Sequence, residues 1–198
     1  MSYQDGGHIS ETTREVDLIR IALINEYSKI ENELTIILSA LARIDFATAN
    51  AINFNIANFK TRCKIIGDII NIKAPDLSKS WRKIEGWLDK ANTHRNKIVH
   101  WQSSRFHSPK FKNAKILLHP PKRIAEPIEF KTSYTTKDLQ NLQPNFVNLR
   151  IVLSELRMIL ISSDLPSPKN ATYSLFLNMP SGSVEDFVAD LEAIGFST

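Results

Sequence analysis

The chain has 198 residues, of which 42% are hydrophobic and 23% are charged, and it carries a net charge of +4. This length suits one domain with a substantial core, and this composition is that of a globular protein. No apolar run approaches the roughly 20 residues of a membrane-spanning helix, and the first residues lack the features of a signal peptide. Cys63 is the single cysteine, so no internal disulfide can form. We therefore expect a cytoplasmic protein that does not associate with a membrane.

Positive charge is concentrated in one part of the chain. Residues 79–123 contain twelve lysines and arginines and only two acidic residues, which gives this block a net charge of +10. A basic block of this kind is typical of a surface that binds polyanions, of which RNA is the obvious one. The alternative is a solvated basic surface without a ligand.

The first part of the chain predicts two helices. After a polar, disordered tail (residues 1–12), apolar residues recur at helical spacing from Arg14 to about Arg43. Asp45 is placed to cap a second helix, whose apolar residues continue to Ile70. Asparagines near the start of this second helix are poor helix formers, so we expect its first turns to be weakly helical.

A third helix and an extended segment follow. The sequence Ala74-Pro75-Asp76 breaks the preceding pattern and begins a helix that should run to about Ser103. Residues 105–109 predict a turn, whereas residues 114–119 and 128–134 each predict a short strand. We therefore expect a hairpin-like insertion between the third and fourth long helices.

The remaining sequence completes a predicted bundle. Residues 135–138 resemble a capping box and begin a fourth long helix, which Pro144 should kink or split. The predicted fold class is mainly α: an up-down helical bundle with a short extended or hairpin insertion before the fourth long helix. The helical domain should cover residues 13–165, with the insertion at about 104–134. Residues 166–198 should form a C-terminal extension with a short helix.

The clearest functional signal is the sequence Arg95-Asn96-Lys97-Ile98-Val99-His100, which lies near the end of the third helix and inside the basic block. On a helix Asn96 and His100 share a face, and Arg95 lies about 100° from Asn96 around the axis. These three side chains converge if the long side chain of Arg95 bends across the helix. The alternative is that Arg95 extends into solvent, Asn96 bonds a neighbouring loop, and His100 is a partly buried structural histidine.

This motif resembles the signature of the HEPN (higher eukaryote and prokaryote nucleotide-binding) superfamily: an arginine, a polar neighbour, and a histidine after four to six intervening residues. Many members of the superfamily are metal-independent ribonucleases. The order of three helices, an insertion and a fourth helix, with the motif at the end of the third, is also similar to HEPN domains. The resemblance covers roughly residues 14–160 through helix order, but only residues 95–100 are specific to it. It implies a homodimer in which two Arg95/His100 pairs share one cleft.

The chemistry of such ribonucleases suits these residues. Attack of an RNA 2′-hydroxyl on the adjacent phosphate needs a group that titrates near neutrality, as imidazole does. Negative charge on the phosphoryl oxygens needs a fixed cation, and the guanidinium fork of arginine matches those oxygens. Neither step requires a metal or another cofactor. The resemblance therefore implies Arg95, Asn96 and His100 as the catalytic residues.

Two functions from different classes remain open. The first is an endoribonuclease, acting as a toxin or phage-defence effector under the control of an antitoxin or another regulatory partner. The second is a non-catalytic adaptor that binds RNA or a protein through a degenerate HEPN fold. In relatives paired with a nucleotidyltransferase antitoxin, a modified tyrosine follows the histidine; here Trp101 follows His100, so we do not expect that regulation. RNA contacts are expected at Lys97, Arg105, Lys110, Lys112 and Lys115.

Other polar residues give weaker signals. His94, His100 and His107 lie across a helix end and a turn, and no second cysteine is available, so we expect no metal site. Glu31 and Glu33 on the first helix could approach the motif, since acids at such positions occur in some relatives. Ordinary solvent-facing glutamates are the favoured interpretation.

Overall fold

The computed structural model describes residues 6–106, 115–121 and 133–161 of the chain. In chain order their elements are α1 (Gly6–Ala42), α2 (Phe46–Asn55), α3 (Phe59–Lys73), α4 (Ser78–His100), β1 (Gln102–Phe106), β2 (Lys115–His119), β3 (Tyr134–Thr135) and α5 (Thr136–Ile161). A short 3-10 helix (Pro75–Leu77) precedes α4. The described chain is mainly helical, which confirms a helical bundle. Within these ranges no single helix combines the length and the apolar composition needed to cross a membrane.

The predicted second helix is two helices, so the prediction of one continuous helix is wrong. Asp45 caps α2 as expected, because its carboxylate accepts a hydrogen bond from the Thr48 backbone N–H at 2.9 Å. That helix ends at Asn55. Asn58 then caps α3 by accepting a hydrogen bond from the Thr61 N–H at 3.3 Å. Asparagine favours such caps over helix interiors because its side chain bonds nearby backbone groups.

Helix α2 returns the chain toward the start of the bundle, since the chain bends by 118° between α1 and α2. As a result α3 runs parallel to α1. The ring of Phe59 lies 5.7 Å from that of Tyr27, and farther along both helices the Lys73 ammonium donates to the Leu41 carbonyl at 2.7 Å. Helix α4 is antiparallel to α1, because its later residues contact earlier residues of α1.

Two ion pairs show that the first and last helices are parallel. Arg150 Nε lies 3.1 Å from Glu26, and Arg157 Nε lies 3.0 Å from Glu33. The two arginines and the two glutamates are each seven residues apart, so both helices advance in the same direction. A four-helix up-down order would make these two helices antiparallel. The division of the predicted second helix adds one reversal, so the five described helices alternate in direction and α1 and α5 point the same way.

The core lies between α1, α3, α4 and α5. On α1 the buried positions lie three, four or seven residues apart: Val16, Leu23, Tyr27, Ile30, Leu34, Ile37 and Leu41. On α4 they are Trp81, Ile84, Leu88, Ala91 and Ile98. Gly67 on α3 allows α4 to approach closely, because a Cβ there would lie 2.7 Å from the indole nitrogen of Trp81. Trp81 is therefore a core residue, as its helical spacing predicts.

The insertion contains a three-stranded antiparallel sheet in the order β1-β2-β3. Strand β1 pairs with β2 from Gln102 opposite His119 to Phe106 opposite Lys115, and β2 pairs in turn with β3. The strand predicted at residues 114–119 is thus confirmed as β2. The sheet lies at the end of the bundle where α4 stops and α5 begins.

The boundaries around β1 differ from the prediction. Helix α4 ends at His100 rather than near Ser103, because Trp101 already has an extended backbone with φ −83° and ψ 150°. Strand β1 includes the start of the predicted turn at 105–109, and the rest of that turn lies outside the described residues. Of the strand predicted at 128–134 only the end is described, and it leads into β3.

The ends of the helical domain are partly as predicted. The capping box at the start of α5 is confirmed: Thr135 Oγ1 accepts from the Asp138 N–H at 3.2 Å, and the Asp138 carboxylate accepts from the Thr135 N–H at 2.8 Å. Pro144 lies inside α5 and does not split it. Helix α1 begins at Gly6, so part of the predicted tail is helical; its polar sequence has no apolar periodicity that would have predicted a helix. The predicted extension 166–198 lies outside the described residues.

Candidate functional site

Arg95 lies on the core-facing side of α4. It occupies the gap in the buried stripe between Ala91 and Ile98, and it is itself partly buried. Its guanidinium carbon lies 5.8 Å from the centre of the Tyr27 ring, and its Nη1 donates to the side-chain oxygen of Asn96 at 3.1 Å. The side chain therefore bends across the helix toward Asn96 and does not extend freely into solvent.

Tyr27 is a fixed support for that guanidinium. It is 2% exposed, and its ring packs against Phe59. Its hydroxyl donates to the side-chain oxygen of Asn92 at 3.0 Å. Burial, reinforced by the negative charge of Glu31, raises the pKa of Tyr27 far above its ordinary value, so the phenol stays neutral. A neutral ring held by packing and by a hydrogen bond presents a steady aromatic face to Arg95.

His100 is the last residue of α4, and it is exposed. It shares a helix face with Asn96, whereas Arg95 lies about 140° away around the axis. Among the described residues no hydrogen bond or ion pair engages its imidazole. The structure thus brings Arg95 and Asn96 into contact and leaves His100 open on the Asn96 face. This is not the environment of a partly buried structural histidine.

Lys97 lies beside an aromatic pair. The rings of Trp101 and Tyr134 stack with their centres 5.4 Å apart and an angle of 28° between their planes. The Lys97 ammonium lies 5.3 Å from the centre of Trp101 and 5.4 Å from the centre of Tyr134. Both distances are within the roughly 6 Å of a cation–π contact. The two rings hold this cation next to the motif.

Tyr134 also contacts His94, since its hydroxyl lies 2.6 Å from His94 Nδ1. Burial, followed by the positive charge of Lys97, lowers the pKa of His94, which favours the neutral ring. Burial raises the pKa of Tyr134 to about 12, so its hydroxyl keeps its proton and can donate it to Nδ1. A single side chain from β3 therefore holds His94, Lys97 and Trp101 together at the end of α4.

The site also contains three residues that the motif does not indicate: Arg20, Tyr27 and Tyr134. Arg20 donates hydrogen bonds to backbone carbonyls at the end of α4. A signal for it exists in the sequence, because this charged residue interrupts the buried stripe of α1 between Val16 and Leu23. Tyr27 is expected in the core from its spacing, but the spacing does not indicate its contact with Arg95. No sequence pattern connects Tyr134 to α4, since only the folding of the sheet brings them together.

Of the predicted RNA contacts, only Lys97 has a described side chain. The backbones of Arg105 and Lys115 lie on the paired strands β1 and β2. Their side chains, and all of Lys110 and Lys112, lie outside the described residues. The sheet thus carries two of the predicted basic positions on neighbouring strands, of which β1 begins at Gln102, two residues after His100.

The remaining polar candidates have structural partners. Glu31 pairs with Arg62 at 3.1 Å and stays partly exposed. Glu33 pairs with Arg157 at 3.0 Å and is only 13% exposed, so the expectation that it faces solvent is wrong. Cys63 is buried, and burial raises the pKa of its thiol to about 12. In the described part of the chain no group of three or more histidine, cysteine or acidic side chains is placed to hold a metal ion.

The end of α4 combines a held guanidinium, an amide and an open imidazole within the sequence from Arg95 to His100. A guanidinium can bind a phosphodiester, and an imidazole can accept or donate a proton near neutral pH. Comparison with protein-family models, with curated proteins and with solved structures finds no match to this chain.

Proposed function

We propose that the protein is a metal-independent endoribonuclease of the HEPN type that acts as a toxin or phage-defence effector. The observation that carries this proposal is the position of Arg95, which the Tyr27 ring and the Asn96 side chain hold beside the exposed end of α4. A guanidinium held in this way suits a phosphate group, and His100 lies on the adjacent exposed face. The net charge of +10 in residues 79–123 supports a polyanionic substrate.

In the proposed reaction the RNA 2′-oxygen forms a bond to the adjacent phosphorus while the bond from phosphorus to the 5′-oxygen of the next nucleotide breaks. The His100 imidazole accepts the proton of the 2′-hydroxyl. Arg95 donates hydrogen bonds to the phosphoryl oxygens as their negative charge increases, and Asn96 orients the guanidinium. The departing 5′-oxygen takes up a proton from the protonated imidazole of a second His100. The products carry a 2′,3′-cyclic phosphate and a 5′-hydroxyl.

A homodimer completes this proposed site. The reaction removes a proton from the 2′-hydroxyl and delivers one to the 5′-oxygen. Each chain has one open imidazole in its motif, so two chains supply the two groups that these transfers need. A two-fold axis near the end of α4 brings a second Arg95/His100 pair to the same cleft without further sequence. An antitoxin or another regulatory partner would then act by covering this face.

Incubation of the purified protein with mixed RNA in the presence of EDTA tests the proposed function. We expect fragments that end in 2′,3′-cyclic phosphate and begin with a 5′-hydroxyl. Protein with His100→Ala, purified in the same way, controls for contaminating ribonucleases. Cleavage that appears only after a divalent metal is added contradicts the mechanism.

The second candidate is a non-catalytic adaptor that binds RNA or a protein through the same surface. One observation favours it: the described contacts of Arg95 are made to Asn96 and Tyr27, and none of them reaches His100. An adaptor needs only the cationic surface, of which Lys97 beside its two rings is a part. RNA binding that weakens with salt, together with RNA that stays intact, would select the adaptor.

A further inference from the structure

Helix α4 ends without a glycine and without a loop. Its final hydrogen bond joins the Trp101 N–H to the Lys97 carbonyl at 2.8 Å, and β1 begins at Gln102. No N–H group of the helix donates to the four carbonyls after Lys97, as is the case at any helix end. These are the carbonyls of residues 98–101, and His100 lies among them. Groups outside α4 are needed to satisfy them where they are buried.

Arg20 of α1 satisfies two of these four carbonyls. Its Nε and Nη2 donate to the Ile98 carbonyl at 3.2 and 2.9 Å, and Nη2 also donates to the Trp101 carbonyl at 3.3 Å. The two acceptors stand on either side of His100 in the sequence. The remaining nitrogen, Nη1, lies 3.6 Å from Asp17, and the Arg20 side chain is 21% exposed.

Helical spacing alone would favour an apolar residue at the position of Arg20. It lies in the gap of the buried stripe of α1 between Val16 and Leu23, where burial of an apolar side chain would stabilise the fold. A cation at the C-terminal end of a helix is favourable, but a lysine would supply that charge equally well. The planar fork of arginine can bond two separate carbonyls in a fixed geometry, which a single ammonium cannot do in the same way.

We propose that Arg20 is a positioning residue. It fixes the backbone on both sides of His100, and it thereby sets where the imidazole stands relative to a phosphate bound by Arg95. This role rests on the proposed ribonuclease function. Arg20 acts through the helix end and does not itself contact the RNA, so its loss should slow the chemical step more than it weakens RNA binding.

Steady-state cleavage by the full chain and by three variants tests this role. We expect Arg20→Gln to lower kcat about 10- to 100-fold, with KM changed by less than about twofold. Arg20→Lys, which keeps the charge and loses the fork, should lie between Arg20→Gln and the unaltered protein. Asp17→Asn is the matched control, because it removes the ion pair and leaves the donors to the carbonyls in place. Amide hydrogen exchange of the same samples should be faster at Trp101 in Arg20→Gln and unchanged in Asp17→Asn.

The possible outcomes are distinct. Unaltered protein that cleaves RNA, combined with folded Arg20→Gln of unchanged kcat, overturns the positioning role and leaves the proposed function standing. A loss in Arg20→Gln that is confined to KM also overturns it. If Arg20→Gln does not fold, Arg20→Lys decides the matter by the same comparison of kcat with KM. Unaltered protein that cleaves no RNA at all is the separate failure of the proposed function, and the positioning role fails with it.

Discussion

The guanidinium carbon of Arg95 on α4 lies 5.8 Å from the centre of the Tyr27 ring on α1. Both residues occupy core-facing positions on their helices, so a cation stands where helical spacing alone would place an apolar side chain. The Tyr27 ring is fixed from other directions by Phe59 and by its hydrogen bond to Asn92. The packing of the bundle and the orientation of the proposed phosphate-binding group therefore depend on the same side chain.

Substitution of Tyr27 should separate these two roles. Tyr27→Phe keeps the aromatic face and loses the hydrogen bond to Asn92, so we expect the free energy of unfolding to fall by about 1 kcal/mol and cleavage to be retained. Tyr27→Leu loses the hydroxyl and the aromatic face. We expect it to cleave RNA about tenfold more slowly per folded molecule than Tyr27→Phe. Urea unfolding and cleavage assays on both variants measure these effects; equal cleavage rates would show that the ring does not orient Arg95.

The protein should be a homodimer whose interface includes α4 near residues 95–101. The exposed face there carries the groups that a second copy would duplicate. Thr93 is exposed two residues before the motif, so Thr93→Arg should weaken the dimer, whereas Lys64→Arg on α3 should not. Analytical ultracentrifugation measures the association. A monomer throughout the micromolar range would show that this part of the proposal is wrong.

The basic block should bind RNA through its phosphates. Replacement of Lys110, Lys112 and Lys115 by Glu should weaken binding by a similar factor for unrelated RNA sequences, because phosphate contacts carry no sequence information. The dependence of affinity on salt should also become shallower. A matched control replaces Arg14, Arg43 and Lys64 by Glu, since these exposed cations lie outside the block and the change in net charge is the same. Equal effects of the two triple variants would indicate attraction by total charge alone.

Stability should depend on pH through His94. Burial and Lys97 lower its pKa in the folded protein below the ordinary value of 6.5. Below that pH the unfolded chain therefore binds the proton more readily than the folded protein does. The stabilisation is fully present above about pH 6.5 and is lost as the pH falls from there through the folded pKa. One such group changes the free energy of unfolding by at most about 1.4 kcal/mol per pH unit, and partial exposure reduces this.

Denaturant unfolding at a series of pH values in this range measures the effect. His94→Gln should reduce the slope of stability against pH, and Lys97→Met should reduce it in part, because it removes the second cause of the lowered pKa. If His94→Gln and the unaltered protein lose stability equally on acidification, His94 is not the responsible group.

Local signals in the sequence predict much of this fold. The period of the apolar residues locates α1, α4 and α5, and the caps formed by Asp45 and Thr135 act where their residue types indicate. The break between α2 and α3 is harder to predict, because the apolar residues continue through it while Asn58 competes as a cap. Strand β1 is also hard to predict, because the helical pattern of α4 suggests that the helix continues to about Ser103. It follows α4 after a single residue, and Arg20 bonds two of the carbonyls at this junction, those of Ile98 and Trp101.

Only the residues of the motif, from Arg95 to His100, could be predicted as parts of the candidate site. The spacing of Asn96 and His100 gives their common face, and the length of the Arg95 side chain allows the bend that the structure contains. The supports of the site are distant in sequence, because Tyr27 and Tyr134 reach α4 through helix packing and sheet pairing. Neighbouring residues in the sequence do not indicate such contacts. The one indication is a charged or polar residue at a position where helical spacing predicts an apolar one.

Single-turnover cleavage of one RNA by four proteins tests the catalytic roles most directly. The proteins are the unaltered chain, Arg95→Ala, His100→Ala and the exposed control Lys64→Ala, all assayed in EDTA. We expect each motif variant to remain folded and to lose at least about 100-fold in rate, while Lys64→Ala keeps the unaltered rate. The cleaved ends should carry 2′,3′-cyclic phosphate. An unchanged rate in His100→Ala, with the same product ends, would contradict the proposed mechanism.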